Sequence, residues 1–150
     1  MCIRDRLIIA GKKEGIYGDQ FINDIEKSIY KSSIKYIGSV SKEEKIELLQ
    51  KSHILAVTSV KEGWGLVVTE ANSQGTPAVV YNVDGLRDAV RNKETGLVCE
   101  ENTPENLAEN MSQVLKDKKL YETLQKNAWK WSKKIDFDES YKQFISKINE

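Results

Sequence analysis

The sequence predicts an α/β fold, in which a parallel β-sheet has helices on both faces and further helices follow towards the C-terminus. Short apolar runs alternate with amphipathic helical patterns, which is typical of consecutive βαβ units. Glycine or polar turn residues separate most of these runs from the helices. The 150 residues include 23 basic and 23 acidic side chains, a composition typical of a globular domain with one core.

The first predicted strand is residues 7–10, and it ends at Gly11. A helix is expected over residues 20–30, because apolar residues recur there at helical spacing. Its apolar stripe consists of Phe21, Ile22, Ile25 and Ile29. The second predicted strand is residues 34–37, ending at Gly38.

Ser41 and Glu44 have the spacing of a capping box, which predicts that the next helix begins there. That helix leads into a central apolar strand over residues 54–58. The helix after it is expected to end near Gly75, and residues 78–81 form the fourth predicted parallel strand.

Residues 84–88 are expected to form a loop, and residues 96–98 a short extended piece. Thr103 followed by Pro104 predicts a helix start, with that helix running to about residue 116. A further helix is expected over residues 120–133.

Two tryptophans lie two positions apart on that helix and therefore cannot share a face. Trp129 is expected to pack and Trp131 to cover the surface. The last predicted helix has an apolar stripe typical of a helix that packs on a surface. This stripe consists of Tyr141, Phe144, Ile145 and Ile148.

Residues 62–70, EGWGLVVTE, follow the central strand and carry the most informative pattern in the chain. Gly63 and Gly65 allow the backbone to approach a ligand closely, and a helix is predicted to begin near Leu66. The first amides of such a helix have no partner within it and attract anions. Glu62 and Glu70 would repel phosphate but can accept hydrogen bonds from sugar and ribose hydroxyls. The pattern therefore predicts a site for a sugar, a diphosphate and a nucleoside in that order.

Other classes of function have less support in the sequence. Net neutrality gives no general electrostatic case for nucleic acid. There is no apolar run of about 18 residues and no signal-peptide pattern, so a cytoplasmic protein is expected. Cys2 and Cys99 lack metal-ligand spacing and are expected to be free thiols. A dinucleotide fingerprint counted from Gly63 fails, because its sixth position is Val68.

Residues 59–77, SVKEGWGLVVTEANSQGTP, resemble the retaining GT-B glycosyltransferases of group 1, also called family 4. The similarity combines a Glu-x7-Glu motif, the glycine-aromatic-glycine turn inside it and the Gly-Thr-Pro at residues 75–77. Segments at residues 36–40, 85–88 and 94–98 also look like that family. The resemblance implies a Rossmann-like domain over residues 7–150, corresponding to the C-terminal, donor-binding half of a GT-B fold.

By this resemblance, Glu62 contacts hydroxyls of the donor sugar and steadies charge at the anomeric carbon, which makes it the candidate catalytic residue. Glu70 holds the ribose diol, and the base lies against the turn at residues 38–40. The resemblance implies no metal and no cofactor, because the nucleotide-diphosphate sugar is itself a substrate. The full set of candidate substrate-binding residues is Gly38, Val40, Gly63, Trp64, Gly65, Leu66, Val67 and Glu70.

Residues 1–6 are expected to be a non-native leader, and the chain is expected to be truncated at its N-terminal side. The family supplies an Arg and a Lys to the diphosphate from a segment upstream of the strand that matches residues 7–10. Nothing in residues 1–6 matches that segment. We therefore expect little turnover without a separate acceptor domain. The expected partners are the donor and a saccharide or lipid-linked acceptor. Because members of the family often act on lipid-linked acceptors, the resemblance also implies peripheral binding at the inner membrane face. The alternatives are a non-catalytic nucleotide-sugar-binding subunit or remnant, and a nucleotide-sugar epimerase.

Overall fold

The computed structural model describes residues 6–148. The predicted leader, except for Arg6, and Cys2 within it lie outside the described residues. The chain divides into two compact units, Met1–Lys45 and Ile46–Glu150, and each is described by itself. None of the helices within residues 6–148 has the length and hydrophobicity that a membrane span requires.

The first unit contains two parallel strands and one long helix. Strand β1 (Leu7–Ala10) pairs with β2 (Ile34–Gly38), and helix α1 (Gly15–Lys27) lies between them in sequence. A single 3₁₀ turn at Lys31–Ser33 leads into β2. Both predicted strands are therefore confirmed, with boundaries within one residue of those expected.

Helix α1 differs from its prediction at both ends. It begins five residues early, because Gly15 adopts the left-handed conformation with φ of +57° after the extended residue Glu14. It ends before Ile29, because Ser28 is extended and its Oγ accepts a hydrogen bond from the Tyr30 amide at 3.1 Å. Ile29 is consequently 87% exposed and does not belong to the buried stripe.

Helix α2 (Lys42–Lys51) begins with the predicted capping box. The Ser41 amide donates to Glu44 Oε2 at 2.7 Å, and the Glu44 amide donates to Ser41 Oγ at 3.1 Å. The two bonds satisfy amides that would otherwise lack a partner at the helix start. The boundary between the two units falls within this helix.

The second unit contains a three-stranded parallel sheet in the order β3-β4-β5. Its strands are β3 (Leu55–Val57), β4 (Ala78–Val80) and β5 (Gly96–Val98), and its helices after α2 are α3 (Leu66–Ser73), α4 (Asp84–Ala89), α5 (Pro104–Lys116), α6 (Lys118–Ser132) and α7 (Phe137–Ile148). Thr103 Oγ1 accepts from the Asn106 amide at 3.2 Å, which confirms the predicted cap of α5.

Strand β4 is buried on both faces, which explains why its sequence is uniformly apolar. On one face, Ala78 and Val80 join a core with residues of α3 and α4. On the other face, Val79 packs with residues of α5 and α6. The α/β class with helices on both faces of a parallel sheet is therefore confirmed in this unit.

The strands form two ladders, β1-β2 and β3-β4-β5, rather than the single sheet that was expected. Residues 84–88 were predicted to be a loop and instead belong to helix α4, whose Leu86 is fully buried. A buried leucine and alanine stabilise this helix despite its short length. The segment is too short to show a helical repeat in the sequence, which is why the prediction failed.

The two tryptophans of α6 have the opposite roles to those predicted. Trp131 Nε1 donates to the Ala89 carbonyl at 3.3 Å, and the Arg91 guanidinium lies 4.4 Å from its ring centroid. Trp129 is 49% exposed. The predicted stripe of α7 is exposed as well, with Tyr141 at 66% and Phe144 at 63%.

Cys99 is a free thiol, as predicted, and it lies buried after β5. Burial raises the pKa of this thiol, and the hydrogen bond from Asn110 Nδ2 to Sγ opposes that effect.

Candidate functional site

The candidate site lies at the carboxyl-terminal edge of the β3-β4-β5 sheet. The three strands are parallel and in register, so Val57, Val80 and Val98 lie side by side. The segments that follow these strands therefore leave the sheet at the same edge. Ligands of open α/β sheets bind outside this edge.

Gly65 connects the turn after β3 to helix α3. It has φ of +78° and ψ of 53°, a left-handed conformation that residues with a Cβ rarely adopt. A Cβ at this position would also lie 2.9 Å from Leu86 Cδ2, so the buried Leu86 side chain would have to shift. Gly65 is therefore favoured by its conformation first and by its packing second.

Helix α3 begins at Leu66, as predicted, and its first amides are available to a ligand. The Val68 amide bonds the Gly65 carbonyl at 2.8 Å. The structure gives the Leu66 and Val67 amides no acceptor among residues 6–148, and Gly65 provides no side-chain cap. An anion at this point would gain two hydrogen-bond donors and the positive end of the helix dipole.

The two predicted carboxylates flank these amides in sequence. Glu62 is half-buried before the turn, and its Oε1 accepts a hydrogen bond from the Gly63 amide at 3.1 Å. Glu70 is half-buried on α3. It follows Leu66 by four residues, so Glu70 and Leu66 lie on the same side of the helix. The structure therefore brings most of the predicted site residues together in one turn and the helix that follows it.

Gly38 and Val40, the predicted base-contacting residues, belong to the first unit. Gly38 ends β2 with φ of +71°, and its carbonyl accepts from the Gly11 amide at 2.8 Å. Val40 is half-buried in the short segment before α2. Their assignment to a base stays a prediction.

Trp64 is held in place at the turn by a side chain that the sequence analysis did not identify. Its Nε1 donates to Thr69 Oγ1 at 3.1 Å, and the residue is 37% exposed. This bond directs the indole N–H towards the first turn of helix α3. A threonine five residues after a tryptophan has no recognisable sequence signal, so the bond could not be predicted.

Helix α4 is the second feature that the sequence analysis missed. Gly85 approaches the main chain of residues 62–64 so closely that an added Cβ would lie 2.5 Å from the Gly63 carbonyl carbon. On the exposed side of α4, Arg87 pairs with Asp84 and also donates to Asn82 Oδ1 at 2.7 Å. Arg87 is thus engaged within its own loop and helix.

Within residues 6–148, no group of three or more His, Cys, Asp and Glu side chains is arranged to hold a metal ion. His53 packs near Tyr121, with the ring centroids 6.1 Å apart.

Residues 4–131 match the family model described as glycosyl transferases group 1. The chain belongs to the group 1 glycosyltransferases. The match extends from residue 4 to Trp131 near the end of α6, and it includes every candidate site residue. The predicted family is thereby confirmed at the level of group 1.

Relatives and solved structures agree with this family. The glycogen synthase of Mycobacterium tuberculosis is 34% identical over 111 residues, covering 74% of this chain and 26% of that protein. A Campylobacter jejuni enzyme, N,N'-diacetylbacillosaminyl-diphospho-undecaprenol alpha-1,3-N-acetylgalactosaminyltransferase, is 35% identical over 96 residues, covering 64% of this chain and 25% of that protein.

The structure of Anabaena HepE in complex with UDP-glucose has a TM-score of 0.83 to this chain at 19% identity. The alignment covers 96% of this chain and 40% of that one, and it supports the GT-B-type fold. Some relatives align with 74% to 76% of this chain but are much longer proteins. The chain spans only 26% to 33% of their length.

Proposed function

We propose that the turn at residues 62–65 and the start of helix α3 bind a nucleotide-diphosphate sugar as a glycosyl donor. The observation that supports this most directly is the pair of free amides at Leu66 and Val67, which follow left-handed Gly65. Glu62 and Glu70 flank these amides in sequence. In this proposal the diphosphate binds the amides, Glu62 accepts from sugar hydroxyls and Glu70 accepts from the ribose diol.

The same arrangement suggests how the sugar is activated. As the bond between the anomeric carbon and the diphosphate breaks, negative charge grows on the departing oxygen. Amide donors that are already oriented stabilise that charge without reorganising. The half-buried carboxylate of Glu62 stabilises the positive charge that develops on the sugar ring. In this proposal the chain's residues carry out leaving-group catalysis, and no step depends on a metal or cofactor.

We also propose the finer features that the family resemblance implies. Transfer retains the anomeric configuration, as in family 4, and the donor is a hexosyl nucleotide. Transfer by this chain on its own is slow, because the acceptor site of such enzymes is formed with another domain. ¹H NMR of the anomeric coupling in a newly formed glycosidic bond distinguishes retention from inversion.

Donor binding can be tested by thermal-shift screening against UDP- and GDP-sugars, followed by calorimetry. Replacing Glu70 with alanine is expected to weaken donor binding by about tenfold to a hundredfold, the usual effect of losing hydrogen bonds to a charged group. Glu70→Gln keeps the shape and one acceptor, so it should lose less affinity. Glu109→Ala removes an exposed glutamate from α5 and serves as the control.

Two results would contradict the proposal in different ways. If no sugar nucleotide shifts the melting temperature of the unaltered chain, the chain is not a donor-binding domain under these conditions. If Glu70→Ala and Glu109→Ala bind the donor equally well, the ribose assignment is wrong while donor binding itself stands.

A non-catalytic donor-binding subunit is the second candidate, because the amides at the start of α3 would bind a diphosphate whether or not transfer follows. The two candidates differ in turnover rather than in binding. A radiolabelled donor offered with saccharide and lipid-linked acceptors separates transfer from simple binding, and analysis of the recovered donor detects epimerisation. Transfer above the background rate of donor breakdown, even if slow, would exclude the non-catalytic subunit.

We further propose a cytoplasmic location with peripheral binding to an anionic membrane surface. Helix α6 and the residue after it present four lysines along one exposed side, Lys119, Lys126, Lys130 and Lys133, which together form the lysine face. Exposed Trp129 lies beside it, with Lys133 Nζ 5.3 Å from its ring centroid. Lysines with an exposed tryptophan are typical of helices that lie on anionic lipid.

A further inference from the structure

Helix α4 packs against the turn at residues 62–65. This turn is called the donor turn, because it is proposed to bind the donor. A Cβ added to Gly85 would lie 2.5 Å from the Gly63 carbonyl carbon, 2.6 Å from the Glu62 carbonyl oxygen and 2.6 Å from the Trp64 amide nitrogen. All three atoms belong to the main chain of the turn. Distances below 3.0 Å are not sterically possible, so only glycine at position 85 permits this approach.

The need for glycine at position 85 comes from packing and not from conformation. Gly85 is not among the glycines with positive φ, so its backbone would accept an alanine. It is also buried, and the backbone fixes the direction of an alanine methyl, so no change of rotamer could relieve the clash. An alanine would therefore push α4 and the turn apart.

The contact continues one step further along both segments. Leu86 Cδ2 would lie 2.9 Å from a Cβ added to Gly65, and Ala89 Cβ would lie 3.6 Å from it. Leu86 and Ala89 are fully buried in the core that includes Val68 and Val80. Since this core is closely packed, α4 cannot move away without disturbing the sheet.

The other end of α4 is attached to helix α6. Trp131 Nε1 donates to the Ala89 carbonyl at 3.3 Å, and the Arg91 guanidinium stacks over the indole ring at 4.4 Å. Helix α4 is thus held by the core and by Trp131, while its first turn meets the donor turn. If a larger residue at position 85 displaced residues 62–65, the Glu62 carboxylate and the amides after Gly65 would therefore move with them.

We infer that Gly85 is a positioning residue for the donor: it sets the distance between α4 and residues 62–64, and so fixes the orientation of Glu62 and the turn amides. This inference rests on the proposed donor-binding function. It predicts a loss of donor affinity in protein that is still folded. A purely structural role predicts only a lower melting temperature.

The test compares Gly85→Ala with Gly96→Ala. A Cβ at Gly96 would lie 2.2 Å from the Ala78 carbonyl oxygen, so this control introduces a similar clash with the main chain, but between β4 and β5. Each variant is titrated calorimetrically, below its melting temperature, with whichever of UDP-glucose and GDP-mannose binds the unaltered chain. Gly85→Ala is expected to weaken binding by about tenfold or more, since small displacements of binding groups are costly. Gly96→Ala should weaken binding much less for the same loss of thermal stability.

A second readout reports on the turn itself. The Trp64 indole N–H, bonded to Thr69, gives a separate ¹H-¹⁵N signal that a Trp64→Phe spectrum identifies. Gly85→Ala should shift this signal, and Gly96→Ala should leave it in place. If Gly85→Ala does not fold, Trp131→Phe serves instead, because it introduces no clash and acts at the far end of α4, where it removes the bond to Ala89 and reduces the ring surface under Arg91. It should weaken donor binding several-fold and shift the Trp64 signal.

The possible failures can be distinguished. If the unaltered chain binds neither of these nor any other UDP- or GDP-sugar of the thermal-shift panel, the proposed function fails and the inference with it; a panel member that does bind replaces them in the titration. If the chain binds its donor and folded Gly85→Ala binds it equally well, Gly85 is only a packing residue. Where Gly85→Ala is unfolded, unchanged affinity and an unchanged Trp64 signal in Trp131→Phe overturn the inference.

Discussion

At the scale of single residues, two glycines that look alike in the sequence serve different physical requirements. Gly65 needs a left-handed backbone and a site free of a Cβ, whereas Gly85 needs only the free space. The first requirement could be anticipated, because a glycine before a helix in a ligand-binding turn is a recognisable pattern. The second depends on which segment packs against which, and no local pattern reveals it. A Cβ added to Gly63 would meet no atom within 4 Å, so neither requirement applies to that glycine.

Asn72 is the clearest residue-scale opportunity to raise stability. Its side chain on α3 is fully buried, and neither Nδ2 nor Oδ1 has a hydrogen-bond partner among residues 6–148. Burying an amide without a partner costs about 1 to 3 kcal/mol. Replacing Asn72 with leucine, which has the same branching, should raise the free energy of unfolding by about 1 kcal/mol after some repacking.

Urea denaturation monitored by circular dichroism measures this change. Asn110→Leu is the matched control, because the Asn110 amide already has a partner in Cys99 Sγ and its loss should bring no gain. A lower stability for Asn72→Leu would mean that the buried amide is hydrogen-bonded in solution and does not destabilise the fold.

At the scale of elements, helices α2 and α5 begin where the sequence predicts, whereas helix α4 was not predicted. The starts of α2 and α5 were predicted because Ser41, Glu44 and Thr103 form bonds between residues close in sequence. Helix α4 has no side-chain cap and is held by burial of Leu86 instead. Its existence depends on tertiary contacts, which explains why the sequence of residues 84–88 indicated a loop. The exchanged roles of Trp129 and Trp131 have the same cause, since the partner of Trp131 lies 42 residues away.

The lysine face of α6 leads to a prediction about membranes. The chain should sediment with vesicles that contain phosphatidylglycerol and not with pure phosphatidylcholine vesicles. Each lysine near an anionic surface contributes about 1 kcal/mol, so Lys126→Glu with Lys130→Glu should abolish most of the binding. Raising the salt concentration should weaken it as well.

The control for this experiment uses lysines elsewhere on the surface. Lys42→Glu with Lys51→Glu makes the same change in net charge at exposed positions on α2, and it should leave vesicle binding largely intact. If both double variants lose binding equally, net charge rather than the lysine face is responsible. If the unaltered chain does not bind anionic vesicles, the proposed peripheral location is wrong.

At the scale of the whole molecule, the fold class and the family could be predicted, whereas the division of the strands could not. The alternation of apolar runs and helices predicts parallel strands, and these are present. Pairing between strands distant in sequence depends on contacts that no local pattern specifies. The expected single sheet is therefore two ladders in two units, each with its own degree of burial.

That difference in burial predicts unequal stability within the chain. In the second unit, Ala78, Val79 and Val80 are 0% to 1% exposed, so the amides of β4 should open only when the unit unfolds. In the first unit, among residues 6–45, no hydrophobic side chain is fully buried, and Leu7 and Ile8 on β1 are 45% and 41% exposed. Little apolar area is lost when β1 separates from β2, so its amides should exchange through local opening.

Hydrogen-exchange mass spectrometry of the intact chain measures this difference directly. Peptides covering residues 7–10 and 34–38 should exchange much faster than peptides covering residues 78–80, after correction for intrinsic rates measured in denaturant. Adding a low concentration of urea separates the two mechanisms. Exchange by local opening exposes little surface and should hardly respond, whereas exchange in β4 should accelerate, because global unfolding exposes a large area. Equal protection with equal urea dependence would show that both ladders unfold together, and that side-chain burial does not set the stability of β1 and β2.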